Sequence, residues 1–463
     1  MIKKIKSLFG NKRLEPVFCN LVEKIGERYS VIIRQVSEDR KTEVQFHRFV
    51  NNEQVKPERL LEYHWKITPT DLSGKHILVI SDTSTLSFAP DAQREFLGYI
   101  DSKTKKDGFD VHPALLMDAA NGACYGLGGM TTYRNLHQKE AGKTHHATKL
   151  ASGYSAKSFE ENERYKWFAA PQQAITNCAG AERYTLLGDR ESDIYELMVH
   201  TLEQGWEFLY RCRCNRKVEG AHQKLYATLD TWEVQHRYVL DVEATQKRTA
   251  HQATLAVKFG TVILERPKRH PNKELPKTIQ IQVVEIKEDP NTVVGSEAPI
   301  HWILLTSHPV PTIQHALTII QWYCWRWTIE QFFRTAKSKG LDIEQAELKT
   351  FHGLANLVTI ALLAAVQIIQ LVQARNGQTQ QELKDCFTPQ EQECLMALNS
   401  TLEGATEKQK NPHQPHSLAF GAWIIARLGG WKGYASEQPP GPITMTKGLS
   451  QFYAITKGYY LRI

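Results

Sequence analysis

Short apolar runs closed by polar turns organise the first half of the chain, and helical periodicity takes over in the last third. His76–Ser81 (HILVIS) is one such run and ends at Asp82-Thr83-Ser84; a second, over 109–117, precedes Asp118. A third, over 184–187, leads into Gly188-Asp189-Arg190-Glu191. Apolar runs of this length between turn formers read as buried strands. At least two of them deliver an Asp just past the C-terminal end, the edge where open α/β sheets bind ligands. From 218 to 300 the pattern becomes alternating, with strands expected over 237–243, 253–259 and 278–286 and charged, Pro-rich turns between them. A strand at His301–Thr306 then returns the chain to the main sheet. Helices are expected before residue 70 and beyond 350. The fold class is α/β, in five segments: 1–70 helical, 71–217 and 301–349 two parts of a core, 218–300 a β-rich insertion, 350–463 helical.

The stretch WYCWRWTIEQFFRTAKSKG meets no Pro or Gly until Gly340 and reads as one helix. At roughly 100° per residue, Tyr323, Arg326, Glu330 and Lys337 project within an arc of about 60°. That face carries a carboxylate flanked by two cations and a phenol. It suits either solvated ion pairs at helical spacing or a site that handles a phosphate backbone. The apolar stretch 354–372 contains Asn356, Thr359, Gln367 and Gln370. Its uninterrupted apolar runs fall far short of the ~18 residues a membrane span requires, so it reads as a buried helix. The Gly-, Pro- and aromatic-rich GGWKGYASEQPPGP reads as an extended surface segment.

With 463 residues, 41% hydrophobic and 23% charged, the chain has the composition of a soluble globular protein of two to four units. Its net charge of +7 favours a polyanionic partner only weakly. The positions of the positive charge say more: the N-terminus, Arg211 to Lys217, Lys268 to Arg269, and the charged helix. The basic start lacks the apolar centre of a signal peptide. Eight scattered Cys, with Cys212-x-Cys214 lacking a matching second pair, indicate neither a zinc site nor a disulfide framework. Free thiols in a reducing cytoplasm follow. In the N-terminal segment Arg34, Arg40, Lys41 and Arg48 are candidate phosphate contacts on a DNA-binding module, or a solvated helical face.

Magnesium prefers oxygen ligands, and a pair of such ions about 3.5–4 Å apart can activate one oxygen and stabilise another at a phosphodiester. The protein must then hold two or three carboxylates at one point. Asp82 and Asp189 at strand ends and Glu330 on a helix are of the right type. Each has a structural alternative, since an Asp after a strand also forms turns or caps helices. Asp189 could cap a following helix, with Glu191 and Asp193 enriching its first turn.

The chain resembles DDE transposases of the insertion-sequence-4 family. Ser81-Asp82-Thr83-Ser84-Thr85-Leu86-Ser87 carries the first Asp and Gly188-Asp189-Arg190-Glu191-Ser192-Asp193 the second. Tyr323, Arg326, Glu330 and Lys337 match the family's YREK signature in type and spacing. Similarity also runs through Lys166-Trp167, Trp302 to Thr306, and Ala426 to Gly430. The resemblance implies a ribonuclease H-like core interrupted by a β insertion, and two Mg²⁺ ions, with Mn²⁺ as a substitute, on Asp82, Asp189 and Glu330. It implies cleavage at transposon ends and strand transfer into target DNA, by a homodimer assembled on double-stranded DNA in the bacterial cytoplasm. Tyr323, Arg326 and Lys337 would bind the processed backbone, and Trp302, which on its residues alone reads as a core Trp at a strand end, or Trp327 near the same helix face would stack on a flipped base. Arg190, Arg211, Arg213, Arg216 and Lys217 are further DNA-contact candidates, with Arg190 an alternative brace for the carboxylates. A catalytically silent DNA-binding relative or inhibitor, and a host nuclease on the same core, are the competing readings.

Overall fold

The computed structural model describes residues 8–68, 70–101, 106–136, 158–242, 244, 248–295, 297–338, 340–434 and 437–460; the basic start at 1–7 lies outside them. Four helices come first: α1 (Leu14–Arg28), α2 (Ile33–Val36), α3 (Arg40–Val50) and α4 (Pro57–Ile67). Helix α3 starts where the Asp39 carboxylate accepts the Thr42 amide at 2.7 Å, and α4 opens on Pro57, whose missing N–H costs nothing there. Strands β1 (His76–Ser81), β2 (Ser84–Ser87), β3 (Tyr99–Asp101), β4 (Lys106–Asp118) and β5 (Cys124–Tyr133) follow. Next come α5 (Lys166–Asn177), β6 (Arg183–Gly188), α6 (Tyr195–Glu203), β7 (Glu207–Arg211) and α7 (Leu225–Asp230). Then β8 (His236–Val242), β9 (His251–Glu265), β10 (Thr278–Glu288) and β11 (His301–Thr306) lead to the helices α8 (Ile313–Trp325), α9 (Trp327–Lys337), α10 (Phe351–Ala374), α11 (Pro389–Leu402), α12 (Leu418–Leu428) and α13 (Pro442–Tyr460).

Eleven strands among the described residues join one mixed sheet, in the order β2-β4-β1-β6-β7-β11-β10-β9-β8, with β3 and β5 also on β4. At its centre β1, β6 and β7 are parallel, and the remaining pairings are antiparallel. The expected return of 301–306 is seen: β11 bonds β7 on one side and β10 on the other. The alternating strands β8 to β10 therefore extend the same sheet outward. Strand β1 is apolar from Ile77 to Ile80 because both its faces are covered. Leu78 and Ile80 enter the larger core cluster, while Ile77 and Val79 enter the other. Each such side chain contributes about 1.5–3 kcal/mol on burial.

Helix α10 covers the first of these faces. It is buried along its length, as expected for 354–372, and its polar residues are spent on backbone partners. Asn356 donates to the carbonyls of Val50 and Val55 (both 2.9 Å), tying the N-terminal helices down, and Gln370 donates to Cys124 at 3.0 Å on β5. On the other face α5 packs so closely on β5 that a Cβ at Gly129 would stand 2.0 Å from the Ala170 carbonyl oxygen. In GGWKGYASEQPPGP the described residues 429–434 and 437–441 are non-helical. The Arg375 guanidinium holds this segment by donating to the Pro440 carbonyl at 2.7 Å.

Candidate metal centre

Strands β1 and β6 run parallel in a register that ends at Ile80↔Leu187. Two residues further on each strand come Asp82 and Asp189, so the two carboxylates emerge side by side on strands about 4.8 Å apart. What halts β1 there is the sequence of its other neighbour. Strands β1 and β2 lie along one edge of β4 in a constant register, Ser81↔Ala114 and then Ser84↔Val111. The gap at Asp82 and Thr83 faces Pro113 and His112. Pro113 has no N–H to give, so the ladder opens at the first Asp. Thr83 bridges the opening through its hydroxyl, 2.9 Å from His112 Nδ1, and its amide donates to Asp82 Oδ1 at 2.8 Å. Burial holds the His112 imidazole well below its ordinary pKa. Sequence reasoning passed over His112, because nothing in a lone His on a strand indicates which loop it will support.

Asp189 ends β6 and caps the tight turn Arg190–Ser192, accepting the Glu191 amide at 2.7 Å. The capping alternative is thus realised. It uses one oxygen of the carboxylate. Gly188 before it is required by space: a Cβ there would lie 2.5 Å from Ser192 Oγ and 2.8 Å from the Trp167 ring.

Glu330 arrives from the helical side. The expected single helix is two, α8 and α9, meeting at Arg326. The Arg326 amide bonds to the Tyr323 carbonyl and the Ile329 amide to the Arg326 carbonyl, i→i−3 contacts that tighten the turn. This re-phases the helix, so Tyr323, Arg326, Glu330 and Lys337 do not share one exposed face. Tyr323 is 2% exposed, its ring set edge-on against Trp302 at 5.2 Å. Arg326 is 6% exposed; Nη1 meets Asp82 Oδ2 at 3.0 Å and Nη2 meets Glu330 Oε1 at 2.7 Å. Lys337 donates to the Thr85 carbonyl and stands 3.6 Å from Glu344, which accepts the Ser87 amide at 2.9 Å.

The electrostatics of the cluster are those of excess negative charge. Burial and the neighbouring Asp189 push the Asp82 carboxyl up to about 6, with Glu330 adding to the rise. Arg326 and the Thr83 amide pull the other way and lose. One guanidinium among three carboxylates does not compensate them. The donors are all oxygen, the set that suits a hard divalent cation. Arg326 Nε is buried without a partner, which leaves the guanidinium incompletely held where it lies.

Residues 169–367 match the family model of the transposase DDE domain. The match supports a DDE transposase. It takes in Asp189, Glu330 and the Tyr323 to Lys337 stretch, while Asp82 lies upstream of it. Within the matched residues the other sequence candidates divide by exposure. Arg190 and Arg213 are exposed, and Trp327 is 51% exposed with the Arg326 guanidinium 5.6 Å from its ring. Arg211 donates to the His301 carbonyl at 3.0 Å. Arg216 is held in an ion pair with Asp193, its Nε 2.6 Å from Oδ1, and the Arg213 amide meets Oδ2 at 2.7 Å. Asp193 thereby ties the turn behind Asp189 to the end of β7. Lys217 is half-buried on a bridge to Lys224. Trp302 is half-buried in the core edge. Upstream of the match, Arg34, Arg40, Lys41 and Arg48 are exposed on the N-terminal helices, with Arg40 2.9 Å from Glu43. Asp118, the third strand-end Asp, goes elsewhere. Because β4 runs antiparallel to β1, it reaches the opposite edge and bonds Lys75 at 3.3 Å and Tyr125 at 2.7 Å.

Proposed function

We propose that the chain is a cut-and-paste transposase of the insertion-sequence-4 type, cleaving DNA at the ends of its element and joining them to target DNA. Asp82, Asp189 and Glu330 would hold Mg²⁺, with Mn²⁺ as a substitute. Bound there, the cation supplies Lewis-acid stabilisation of a phosphodiester oxygen and acidifies a water or hydroxyl nucleophile. The observation that carries the reading is the level arrival of Asp82 and Asp189 on adjacent parallel strands, with Glu330 drawn to Asp82 through Arg326. The match to the transposase DDE domain supports it from an independent direction.

In this reading Arg326 orients Glu330 and limits repulsion within the carboxylate set. Tyr323 acts from the core, fixing the turn at Arg326 against Trp302. Lys337 anchors β2 beside the first Asp. Arg190 and Trp327, both exposed, are the groups best placed to meet the DNA backbone and an unstacked base. The ribonuclease H-like character of the core, the five-segment division, the homodimer on paired ends and the cytoplasmic setting belong to the same proposal.

The test is a cleavage assay on duplexes carrying the element's own terminal repeats, with Mg²⁺. Asp82→Ala, Asp189→Ala and Glu330→Ala should each reduce nicking to background while end binding in a mobility-shift assay persists. Wild-type cleavage by any one of them removes that residue from the metal set.

A further inference from the structure

The opposite edge of the same sheet carries a second convergence of ligand-type side chains. Strands β1 and β7 begin there with His76 and Glu207, and β11 ends there, leaving His308 two residues past its last position. Ligand atoms of His76, Glu207 and His308 lie within 4.8 Å of one another, the one such trio of His, Cys, Asp or Glu among the described residues. Thr185 Oγ1 on β6 stands between the rings, 2.7 Å from His76 Nε2 and 2.8 Å from His308 Nε2. The far nitrogen of His308, Nδ1, is 3.3 Å from Glu207 Oε1. The indole of Trp322 packs edge-on against both imidazoles at 4.9 Å and is itself fixed by a 2.9 Å bond to the Ala119 carbonyl.

We propose that His76, Glu207 and His308 form a second cation site, selective for a borderline divalent ion such as Zn²⁺ and separate from the carboxylate centre. Two imidazoles and one carboxylate are a recognised zinc donor set, whereas Mg²⁺ and Mn²⁺ prefer oxygen. With Nδ1 toward Glu207 and Nε2 on Thr185, His308 has the outer partner that orients a ligating imidazole. Arg183 competes for this place: its Nη2 is 2.6 Å and 2.8 Å from the two Glu207 oxygens and 3.3 Å from His308 Nδ1. Its side chain is 47% exposed. Glu207 has two oxygens, so one serves the cation while the other keeps Arg183. A cation here would clasp β1, β7 and the end of β11, the strands that frame the metal centre at their other ends. The inference does not depend on the transposase reading.

The experiment uses the full chain, stripped with chelator and titrated with Zn²⁺ alone by calorimetry in saturating Mg²⁺. One equivalent should bind and raise the melting temperature. His308→Gln should weaken binding by at least ~10-fold, the effect of losing a ligand or its orienting partner, while Asp82→Asn leaves it unchanged. Zinc-edge absorption of the loaded wild type should show imidazole nitrogen in the first shell, a readout that needs no variant. Failure to bind Zn²⁺, an oxygen-only shell, or binding lost in Asp82→Asn and kept in His308→Gln each overturns the proposal.

Discussion

The two edges of the central sheet share strands β1 and β6 and solve opposite charge problems. At the carboxyl edge Asp82, Asp189 and Glu330 meet around one guanidinium. Arg326 is buried between two of them, and Asp82 is still pushed up to about 6. At the amino edge two neutral imidazoles and one carboxylate meet a guanidinium half in solvent. The first edge is over-charged and under-compensated; the second is balanced. Parallel pairing brings like ends of β1, β6 and β7 to the same level, antiparallel β11 adds His308 at one edge, and a helix adds Glu330 at the other. Whatever residue types the sequence places just beyond those ends then converge.

The largest stability effect should come from the packing beneath the amino edge. Trp322→Ala removes a buried indole wedged against His76 and His308, and should cost about 3–5 kcal/mol in urea unfolding. A loss under 1 kcal/mol would mean the amino edge is not packed as a unit. Arg326→Gln comes next. Breaking a fully buried pair costs about 3–5 kcal/mol, but the Glu330 side chain is 37% exposed, so about 2–3 kcal/mol is expected here. The deficit should shrink when Mn²⁺ is added, because a divalent cation offsets the same carboxylates. A deficit unaffected by Mn²⁺ would separate Arg326 from the metal centre.

Acid should then distinguish the edges by sign. At the amino edge His76 and His308 are held below the ordinary imidazole range by burial, as are His64, His112, His270 and His413 elsewhere in the fold. Their contribution is complete above about 6.5, the unfolded value, and is lost as pH falls toward 4. Asp82 acts oppositely, since a raised carboxyl adds stability as pH drops from about 6 to about 4. With six lowered imidazoles against four raised carboxyls among the described residues (Asp82 with Glu23, Asp342 and Glu391), the urea midpoint should fall between pH 7 and pH 5. A rising midpoint would make the carboxylate edge dominant. The smallest effect is expected from Arg183→Gln, at most about 1 kcal/mol for a partly exposed pair. Zn²⁺ affinity should rise in that variant, and a fall would show that Arg183 supports the cation rather than competing with it.

Much of the carboxyl edge was legible in the chain. Apolar runs stopping at an Asp placed β1 and β6, and the spacing from Tyr323 to Lys337 marked the helical partner. The break at Arg326 was not legible, because the stretch holds no Pro or Gly and the tightening comes from packing of Tyr323 under Trp302. Strand β5, with three Gly in Cys124–Tyr133, gave no strand signal; close approach of α5 explains Gly128 and Gly129, while Gly126 has a positive φ and lies against Trp65. Strand β9 runs His251–Glu265 rather than 253–259, since its pairing with β10 continues past the alternating segment. The amino-edge cluster left no trace in sequence. His76 and Thr185 are 109 positions apart, and only strand register brings them into contact.

Asp189→Asn isolates the central claim. Asn caps a turn as well as Asp does, so the bond to the Glu191 amide and the fold should persist, while one negative charge is lost from the proposed metal centre. Circular dichroism, urea midpoint and end binding should match wild type, and Mg²⁺-dependent cleavage of end-containing DNA should drop to background. Cleavage by Asp189→Asn at the wild-type rate would make Asp189 a cap and nothing more, and would contradict the metal centre as described.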